Sequence, residues 1–218
     1  MKLTIIGAGP GGYTAAFAAA EKGIEVTLID MAEIGGSCLN RGCIPTKTLR
    51  SSADAVMLAG RLPEYGVETG PAKICLDTIR KRKDSVIGIL RTGLEKSCSR
   101  LKVRFVSGQA EVLSAKEVLV HTKDGDETVT GDAVIIASGS RVLELPGLTF
   151  DHQYVLNSDD ALSLDRIPAR LCIVGGGVIG CELACIYRAF GSAVTIVEGQ
   201  DRVLPMPSVD KDVSTLLN

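Results

Sequence analysis

A glycine-rich pattern occurs twice in this chain, 168 positions apart, and it constrains the fold more than any other feature. In both copies a short apolar run leads into glycines spaced G-x-G-x-x-G: Gly7, Gly9 and Gly12 in the first copy, and Gly175, Gly177 and Gly180 in the second. A β-branched run before such glycines and an apolar run after them predict a strand, a tight turn and a helix. The repeat therefore predicts two units of the same design in one chain.

Both copies also continue in the same way. The alanine-rich stretch stops at Gly23 in the first copy and at Gly191 in the second, where glycine suits the end of a helix. A β-branched run follows and ends at an acid, Asp30 or Glu198, eighteen residues after the third glycine. Strand, glycine turn, helix, second strand and terminal acid together are the fingerprint of a dinucleotide-binding βαβ unit. The alternative is a pair of glycine-rich turns without a ligand.

Each position of the fingerprint has its own physical reason. The first glycine allows the tight turn, the second lets the backbone approach a pyrophosphate, and the third allows close packing of helix on strand. N–H groups at the helix N-terminus face the phosphates, and the acid accepts hydrogen bonds from the adenosine ribose. Because Glu198 would repel a 2′-phosphate, the second copy favours NAD over NADP. We interpret Arg202 as a surface ion-pair partner rather than a phosphate ligand.

Composition disfavours several classes of function. A net charge of −2 and the lack of tryptophan do not fit a nucleic-acid or anionic-membrane surface. No run of eighteen apolar residues is present, and the N-terminal residues lead straight into glycines instead of forming a signal peptide. Seven scattered cysteines then fit a reducing cytoplasm with one special pair. We interpret Cys172, Cys181 and Cys185 as packed core thiols and predict no metal site.

The special pair is Cys38 and Cys43, in the run G-G-S-C-L-N-R-G-C-I-P-T-K that begins at Gly35. Pro45 suits the first turn of a helix. The two thiols would then lie at a helix N-terminus, where the macrodipole favours thiolate over thiol. A structural disulfide is the alternative, but nothing else in the chain is typical of a secreted protein. We therefore predict a redox-active pair.

The segment between the repeats carries weaker signals. Periodicity predicts a helix from Pro45 toward Leu58 and a second helix over about 76–97. Alternating residues and turn signals predict short strands at about 102–106, 108–113, 117–122 and 133–136. The fold class is therefore α/β, with two dinucleotide folds, the second of them incomplete, and a small β-meander in the first.

The two fingerprints, the cysteine segment and the A-S-G-S strand end at 137–140 together resemble the flavin-dependent pyridine nucleotide–disulfide oxidoreductases. The cysteine segment is most similar to that of the dihydrolipoamide dehydrogenases. The resemblance implies FAD and NAD as cofactors, an FAD-binding domain over 1–147, and the first half of an NAD-binding domain over 148–218. It also implies a C-terminal dimerisation domain outside this sequence, so we expect a fragment of a homodimeric enzyme.

The resemblance also implies roles for individual residues. Cys38 would exchange with the substrate disulfide, Cys43 would lie against the flavin, and Lys47 would pair with Glu182 near the flavin. The residues implied to bind FAD are Gly7, Gly9, Gly12, Asp30, Gly36, Ser37, Lys47, Ala110, Ser138, Gly139 and Ser140. The residues implied to bind NAD are Gly175, Gly177, Val178, Ile179, Gly180, Glu182 and Glu198.

The implied reaction is the oxidation of dihydrolipoamide by NAD through the Cys38–Cys43 couple and FAD. A lipoamide-bearing protein domain or a small disulfide would be the partner. Glutathione-type and mercuric reductases are alternatives within the family, although Val178 stands where glutathione reductases tend to have a tyrosine. His121 and His152 do not follow the family's pattern for a catalytic base. We therefore expect poor turnover by this chain alone, and a non-catalytic dinucleotide-binding fragment is the other alternative.

Overall fold

The computed structural model describes residues 1–217, without the side chain of Leu217. Its strands are β1 (Lys2–Ile6), β2 (Glu25–Asp30), β3 (Arg104–Ser107), β4 (Gln109–Ser114), β5 (Glu117–Thr122), β6 (Gly125–Thr130), β7 (Ala133–Ile136), β8 (Arg170–Val174) and β9 (Ala193–Val197). Its helices are α1 (Pro10–Glu21), α2 (Gly36–Arg41), α3 (Cys43–Arg61), α4 (Leu76–Leu101), α5 (Ser158–Ala161), α6 (Val178–Ala189) and α7 (Lys211–Leu217), with a 3₁₀ turn at Leu62–Tyr65.

The chain divides into two compact units. The first comprises Met1–Pro45 and Ser85–Leu143, and the second comprises residues 46–84 with the chain from residue 144 onward. The predicted division at residue 147 concerns cofactor-binding domains, which the compact units do not test, so it stays a prediction.

A four-stranded parallel sheet organises the first unit, in the order β3-β2-β1-β7. Its two central strands, β2 and β1, are rich in apolar residues and supply most of the buried positions, whereas β3 and β7 at the edges are more exposed. Leu3, Ile5, Val26 and Leu28 are buried in a core that also contains Ala16 of α1. This packing fixes the carboxyl ends of β1 and β2, where ligands bind in open α/β sheets.

A three-stranded antiparallel meander, β4-β5-β6, belongs to the same unit. Val118, Val120 and Val129 are buried and alternate with residues that are partly or fully exposed, so one face of the meander is apolar. These valines pack with Ile29 of β2 and Val106 of β3. The predicted α/β class with a meander in the first fold is confirmed.

The second repeat forms a βαβ unit within the second compact unit. β8 and β9 pair in parallel, from Arg170 opposite Ala193 to Val174 opposite Val197. Leu183 and Ile186 of α6, with Phe190 directly after the helix, are buried in one core with Leu49 and Ala53 of α3. The second dinucleotide fold therefore has its strand–helix–strand core, as the sequence predicts.

The glycines of the two copies have matching geometry. Gly7 has a φ of 101° and Gly175 a φ of 106°, a region that side chains rarely adopt. A Cβ on Gly12 would lie 1.7 Å from the carbonyl oxygen of Gly7. A Cβ on Gly180 would lie 2.1 Å from that of Gly175. The first and third glycines are therefore required by the turn and by the packing of helix on strand.

The structure corrects one interpretation of the cysteines. Cys172 is exposed, and Cys181 and Cys185 are only partly buried, so they are not the packed core thiols inferred from sequence. The reason lies in strand alternation, because the residues of β8 alternate between partly buried and exposed. Cys172 falls on the exposed face together with Val174.

Within residues 1–217, no helix combines the length and apolar character that crossing a membrane would need. The same residues contain no group of three or more His, Cys, Asp or Glu side chains placed to hold a metal ion.

Candidate active site

The cysteine segment is seated on the first glycine turn. The N–H of Gly35 donates to the carbonyl oxygen of Ala8 at 2.9 Å. Gly36 follows with a φ of 58°, and a Cβ on it would lie only 2.5 Å from the Cα of Gly9. The backbones of the two segments therefore approach each other closely at Gly36 and Gly9. The redox segment and the dinucleotide turn, predicted separately from sequence, are therefore neighbours in the first unit.

Cys38 and Cys43 lie on two consecutive helices. Cys38 is partly buried on α2, and Cys43 is exposed at the start of α3. Gly42 separates the helices, and a Cβ on it would lie 2.9 Å from the carbonyl oxygen of Ser37 and 3.3 Å from the Cα of Cys38. This close turn keeps the two cysteines near each other, with both side chains as thiols.

Asn40 and Arg91 hold this segment, and sequence analysis missed both. The Asn40 amide nitrogen lies 3.1–3.3 Å from the carbonyl oxygens of Glu33, Ile34 and Gly36. Its amide oxygen accepts from Nε and Nη2 of Arg91 at 3.1 and 2.8 Å. The partners are 51 residues apart in sequence, so local patterns carry no signal for this contact.

Asp30 braces the first glycine turn from the end of β2. Its Oδ2 accepts from the N–H of Ala8 at 2.6 Å, and its Oδ1 accepts from the N–H of Ala32 at 2.9 Å. The carbonyl oxygen of Asp30 accepts from the N–H of Gly108 at 2.9 Å, which fixes the turn leading to Ala110. Asp30 therefore lies beside the turn that leads to Ala110, another residue that the resemblance implies for FAD binding.

A cavity of about 710 Å³ opens beside this point. It begins at Met31, directly after Asp30, and its wall includes Phe105 and Ser107 of β3 together with Lys123. These residues carry no motif. In the sequence, Met31 is notable only as a neighbour of Asp30, and Phe105 and Ser107 only as neighbours of Gly108. The cavity could therefore not be predicted from the sequence alone.

The strand end at 138–140 lies next to the same glycine turn. The N–H of Ala137 donates to the carbonyl oxygen of Ile6 at 2.7 Å. A Cβ on Gly7 would lie 2.1 Å from the carbonyl oxygen of Ala137. Ser138 and Ser140 are exposed beyond it, with Gly139 between them at a φ of 73°. The structure thus gathers the cysteine segment, the glycine turn and this strand end at one edge of the first sheet.

The second repeat reproduces the acid-to-turn contact. Oε2 of Glu198 accepts from the N–H of Gly176 at 2.6 Å, and Oε1 accepts from the N–H of Gln200 at 2.9 Å. These N–H groups, Gln200 first, hold the pKa of the Glu198 carboxyl below its usual range. The carboxylate is therefore charged at neutral pH. Val178 and Ile179 are exposed in the first turn of α6, after Gly177.

The side chain of Arg202 bonds to a hydroxyl and to carbonyl oxygens, and so does not have the surface ion-pair role inferred from sequence. Its Nη1 donates to the Ser214 hydroxyl at 2.6 Å and its Nη2 to the carbonyl oxygen of Val209 at 2.9 Å. Nη2 also lies 3.4 Å from the carbonyl oxygen of Met206. Carbonyl oxygens can anchor a guanidinium without any acid, so this side chain ties its own loop together.

Lys47 and Glu182 form an ion pair inside the second unit, with Nζ 2.5 Å from Oε1. Lys47 lies on α3 and its side chain is 60% exposed, whereas Glu182 on α6 is 28% exposed. The pairing implied by the resemblance is present. Its placement beside a flavin stays a prediction.

Both histidines are bonded to acids. His121 on β5 is exposed, with Nδ1 2.8 Å from Asp126, and that carboxylate raises the pKa of the imidazole. Nδ1 of His152 lies 2.9 Å from Asp160, which also closes the capping box of α5. Each histidine therefore has a local structural partner.

The sequence was matched against known protein families, and one family covers it. The family described as pyridine nucleotide-disulphide oxidoreductase matches residues 1–218.

Curated relatives extend this match. The chain is 43% identical over 218 residues to a dihydrolipoyl dehydrogenase of Bacillus subtilis, covering 99% of this chain and 47% of that protein. It is 39% identical over 218 residues to dihydrolipoyl dehydrogenase 3 of Haloarcula marismortui, covering 99% of this chain and 45% of that protein. The chain thus spans about half the length of the curated relatives it matches.

Solved structures agree. LpdA from Mycobacterium tuberculosis matches with a TM-score of 0.90 and 29% identity, covering 100% of this chain and 48% of that one. The HOCl-induced flavoprotein disulfide reductase RclA from Escherichia coli, solved as a Cu(II) complex, matches with a TM-score of 0.83 and 31% identity, covering 99% of this chain and 46% of that one.

Proposed function

Because the chain belongs to the pyridine nucleotide-disulphide oxidoreductase family, we propose that it carries the redox dithiol and both dinucleotide sites of a dihydrolipoyl dehydrogenase. The substrate in this proposal is dihydrolipoamide, and the products are lipoamide and NADH. The observation that carries the proposal is the seating of the cysteine segment on the first glycine turn, through Gly35 on Ala8 and Gly36 on Gly9.

The first unit offers a cradle that fits FAD. Tyr13 is the first residue of α1 whose N–H donates a hydrogen bond within the glycine turn, to the carbonyl oxygen of Gly9 at 2.9 Å. The N–H groups ahead of it are therefore available to phosphate oxygens. The cavity after Asp30 has room for an adenosine. In this proposal the glycine turn holds the pyrophosphate, Asp30 holds the ribose, and Ser138–Ser140 and Gly36–Ser37 complete the site.

When bound, FAD supplies two-electron chemistry between the dithiol and NAD. The chain's own part is thiol–disulfide exchange. A thiolate of dihydrolipoamide attacks Sγ of Cys38 in the oxidised couple, a mixed disulfide forms, and Cys43 leaves as a thiolate. The second lipoyl thiol then attacks the mixed disulfide, which releases lipoamide and leaves both cysteines reduced. The electron pair thereby passes from substrate to protein.

The positions of the two thiols suit these different tasks. Cys43 is the first residue of α3, and the positive end of the helix macrodipole favours negative charge there. The Lys47 ammonium, four residues further along α3, supplies positive charge that the Glu182 carboxylate keeps in place. In the proposal this pair stabilises negative charge that develops beside Cys43 during the reaction.

The second repeat would bind NAD. Gly177 and the exposed first turn of α6 offer N–H groups to the pyrophosphate. The charged Glu198 would accept from ribose hydroxyls and repel a 2′-phosphate, while Arg202 is bonded to its own loop. This arrangement favours NAD over NADP.

The remaining parts of the proposal concern the whole protein. We place it in the cytoplasm because scattered cysteines suit a reducing compartment, and we expect a homodimer with a lipoamide-bearing domain as its partner. Another disulfide reductase of the family is the second candidate. The 31% identity to RclA, a flavoprotein disulfide reductase, is the observation that favours it.

An anaerobic absorption spectrum tests the proposal. The purified chain is mixed with FAD, freed of excess cofactor, and measured before and after reduction with dithiothreitol or NADH. We expect a flavin spectrum that gains a long-wavelength band on reduction. A Cys43→Ser variant should keep the flavin but lose the band, whereas Cys38→Ser should keep the band.

The other outcomes are equally informative. Bound flavin with no band in any variant would contradict the placement of Cys43 against the ring. A chain that stays colourless would contradict FAD binding by these residues alone. A substrate comparison in the same preparation, with lipoamide, glutathione disulfide and Hg(II) as acceptors for NADH or NADPH, separates the two candidate functions.

A further inference from the structure

Helix α2, which carries Cys38, has little stability of its own. It is six residues long, with glycine at both flanking positions and no side-chain cap at its N-terminus. Isolated helices of this length do not persist in water. A separate interaction must therefore hold Cys38 at a fixed distance from Cys43.

The Asn40 side chain supplies that interaction from inside the redox segment. Its amide group spans the carbonyl oxygens of Glu33 and Ile34, before α2, and of Gly36, in its first turn. These are the groups that keep the entry to α2 from unwinding. Leu39, the preceding residue, is buried.

Arg91 fixes Asn40 in turn. Two guanidinium nitrogens donate to the Asn40 amide oxygen, at 2.8 and 3.1 Å, and a third lies 3.6 Å from the Glu33 carboxylate. The Arg91 side chain is 30% exposed, so the contact is partly shielded from water. A cation on the amide oxygen also polarises the amide and strengthens its donation to the three carbonyl oxygens. Asn40 and Arg91 thus act as one bracket.

We infer that the Asn40–Arg91 bracket is a positioning device for the Cys38–Cys43 couple: it holds α2 so that the two sulfurs stay close and the disulfide is favoured over the dithiol. The inference rests on the proposed redox role of the two cysteines. It adds two positioning residues that act through the fold of α2 on the equilibrium of the thiol–disulfide exchange.

The test measures the equilibrium of this couple in the 218-residue chain. The protein is equilibrated with glutathione buffers of varied redox ratio, quenched by alkylation, and analysed by mass spectrometry. We expect Arg91→Met and Asn40→Asp to shift the equilibrium about tenfold toward the dithiol, which corresponds to about 30 mV. Arg91→Lys keeps one charged donor and should restore part of the shift. Arg100→Met, on the last turn of α4, is the matched control and should behave as wild type.

Urea unfolding of both the reduced and the oxidised proteins separates positioning from simple stability. A purely structural bracket would lower the unfolding free energy of both redox states equally and leave the glutathione equilibrium unchanged, which would overturn the inference. If Arg91→Met fails to fold, Arg91→Gln and Asn40→Asp supply the same comparison. A wild-type chain that never forms the Cys38–Cys43 disulfide would overturn the proposed function as well. If the wild-type chain forms the disulfide and the variants do not shift the dithiol–disulfide equilibrium, only the inference about the bracket would be overturned.

Discussion

Gly36 is the residue on which the site depends most directly. Its φ of 58° is unfavourable for other residues, and a Cβ there would overlap the Cα of Gly9 at 2.5 Å. The glycine therefore serves both the turn before α2 and the contact between the redox segment and the dinucleotide turn.

We expect Gly36→Ala to lower the free energy of unfolding by more than about 2 kcal/mol and to abolish retention of FAD. Urea unfolding and flavin absorbance measure the two effects. Gly88→Ala is the matched control, because Gly88 is exposed on α4 and a Cβ there meets nothing within 4 Å. That control should be neutral or stabilising by up to about 1 kcal/mol. Equal behaviour of the two variants would contradict the close approach.

Glu198 leads to a prediction about acid stability. Its pKa is lowered by the N–H groups of Gln200 and Gly176, so its contribution is present above the ordinary glutamate pKa and is lost as pH falls through the lowered value. We expect the unfolding midpoint of the wild type to fall more steeply below about pH 4 than that of Glu198→Gln. Denaturant unfolding across pH 2–6 measures this. Parallel pH profiles would show that the carboxylate does not brace the turn.

Individual residues can be predicted from sequence where the backbone conformation itself requires one residue type. Gly7, Gly12 and their counterparts were found because tight turns and close packing accept only glycine. The Asn40–Arg91 contact was not found, because it depends on how α4 lies against the cysteine segment. Arg202 was misread for a similar reason, since its carbonyl partners are set by the path of a loop.

At the scale of helices and strands, the observed boundaries lie close to those predicted from the local sequence. The strand predicted at 117–122 is β5, and that predicted at 133–136 is β7. The helix predicted to start at Pro45 begins two residues earlier, at Cys43, because proline is tolerated in a first helical turn, where its missing N–H costs no intrahelical hydrogen bond. This earlier start places Cys43 itself at the helix terminus.

Helix α6 carries a buried tyrosine whose loss should be measurable. The Tyr187 hydroxyl donates to the carbonyl oxygen of Ala161, at the end of α5, and burial raises the pKa of Tyr187 to about 12. We expect Tyr187→Phe to cost about 1 kcal/mol at neutral pH. Tyr65→Phe, at an exposed position, should cost nothing measurable.

The same tyrosine gives a prediction at alkaline pH. A raised pKa means that its contribution is intact below the ordinary tyrosine value of about 10 and is lost as pH rises toward about 12. Urea midpoints of the wild type should therefore drop across this range, and those of Tyr187→Phe should drop less. An identical loss in both proteins would assign the alkaline transition to other groups.

At the scale of the whole molecule, the two compact units have separate cores. Leu28 is fully buried in the first and Ile186 in the second. We expect Leu28→Ala and Ile186→Ala each to cost about 2–5 kcal/mol, but in different parts of the chain. Hydrogen exchange should show loss of protection in β1 and β2 for the first variant and in α6 and β9 for the second. Uniform loss in both variants would indicate one cooperative unit.

The acid at the end of each second strand limits how easily the coenzyme preference could be re-engineered. Removing the charge of residue 198 would take away the repulsion toward a phosphorylated ribose, but it would also release the Gly176 N–H that shapes the pyrophosphate turn. A variant selected for NADP must therefore supply a new acceptor for that N–H as well as a cation for the phosphate. Two coordinated substitutions arise less readily than one. The hydrogen bond between Glu198 and the Gly176 N–H therefore makes a change of coenzyme preference during evolution less frequent.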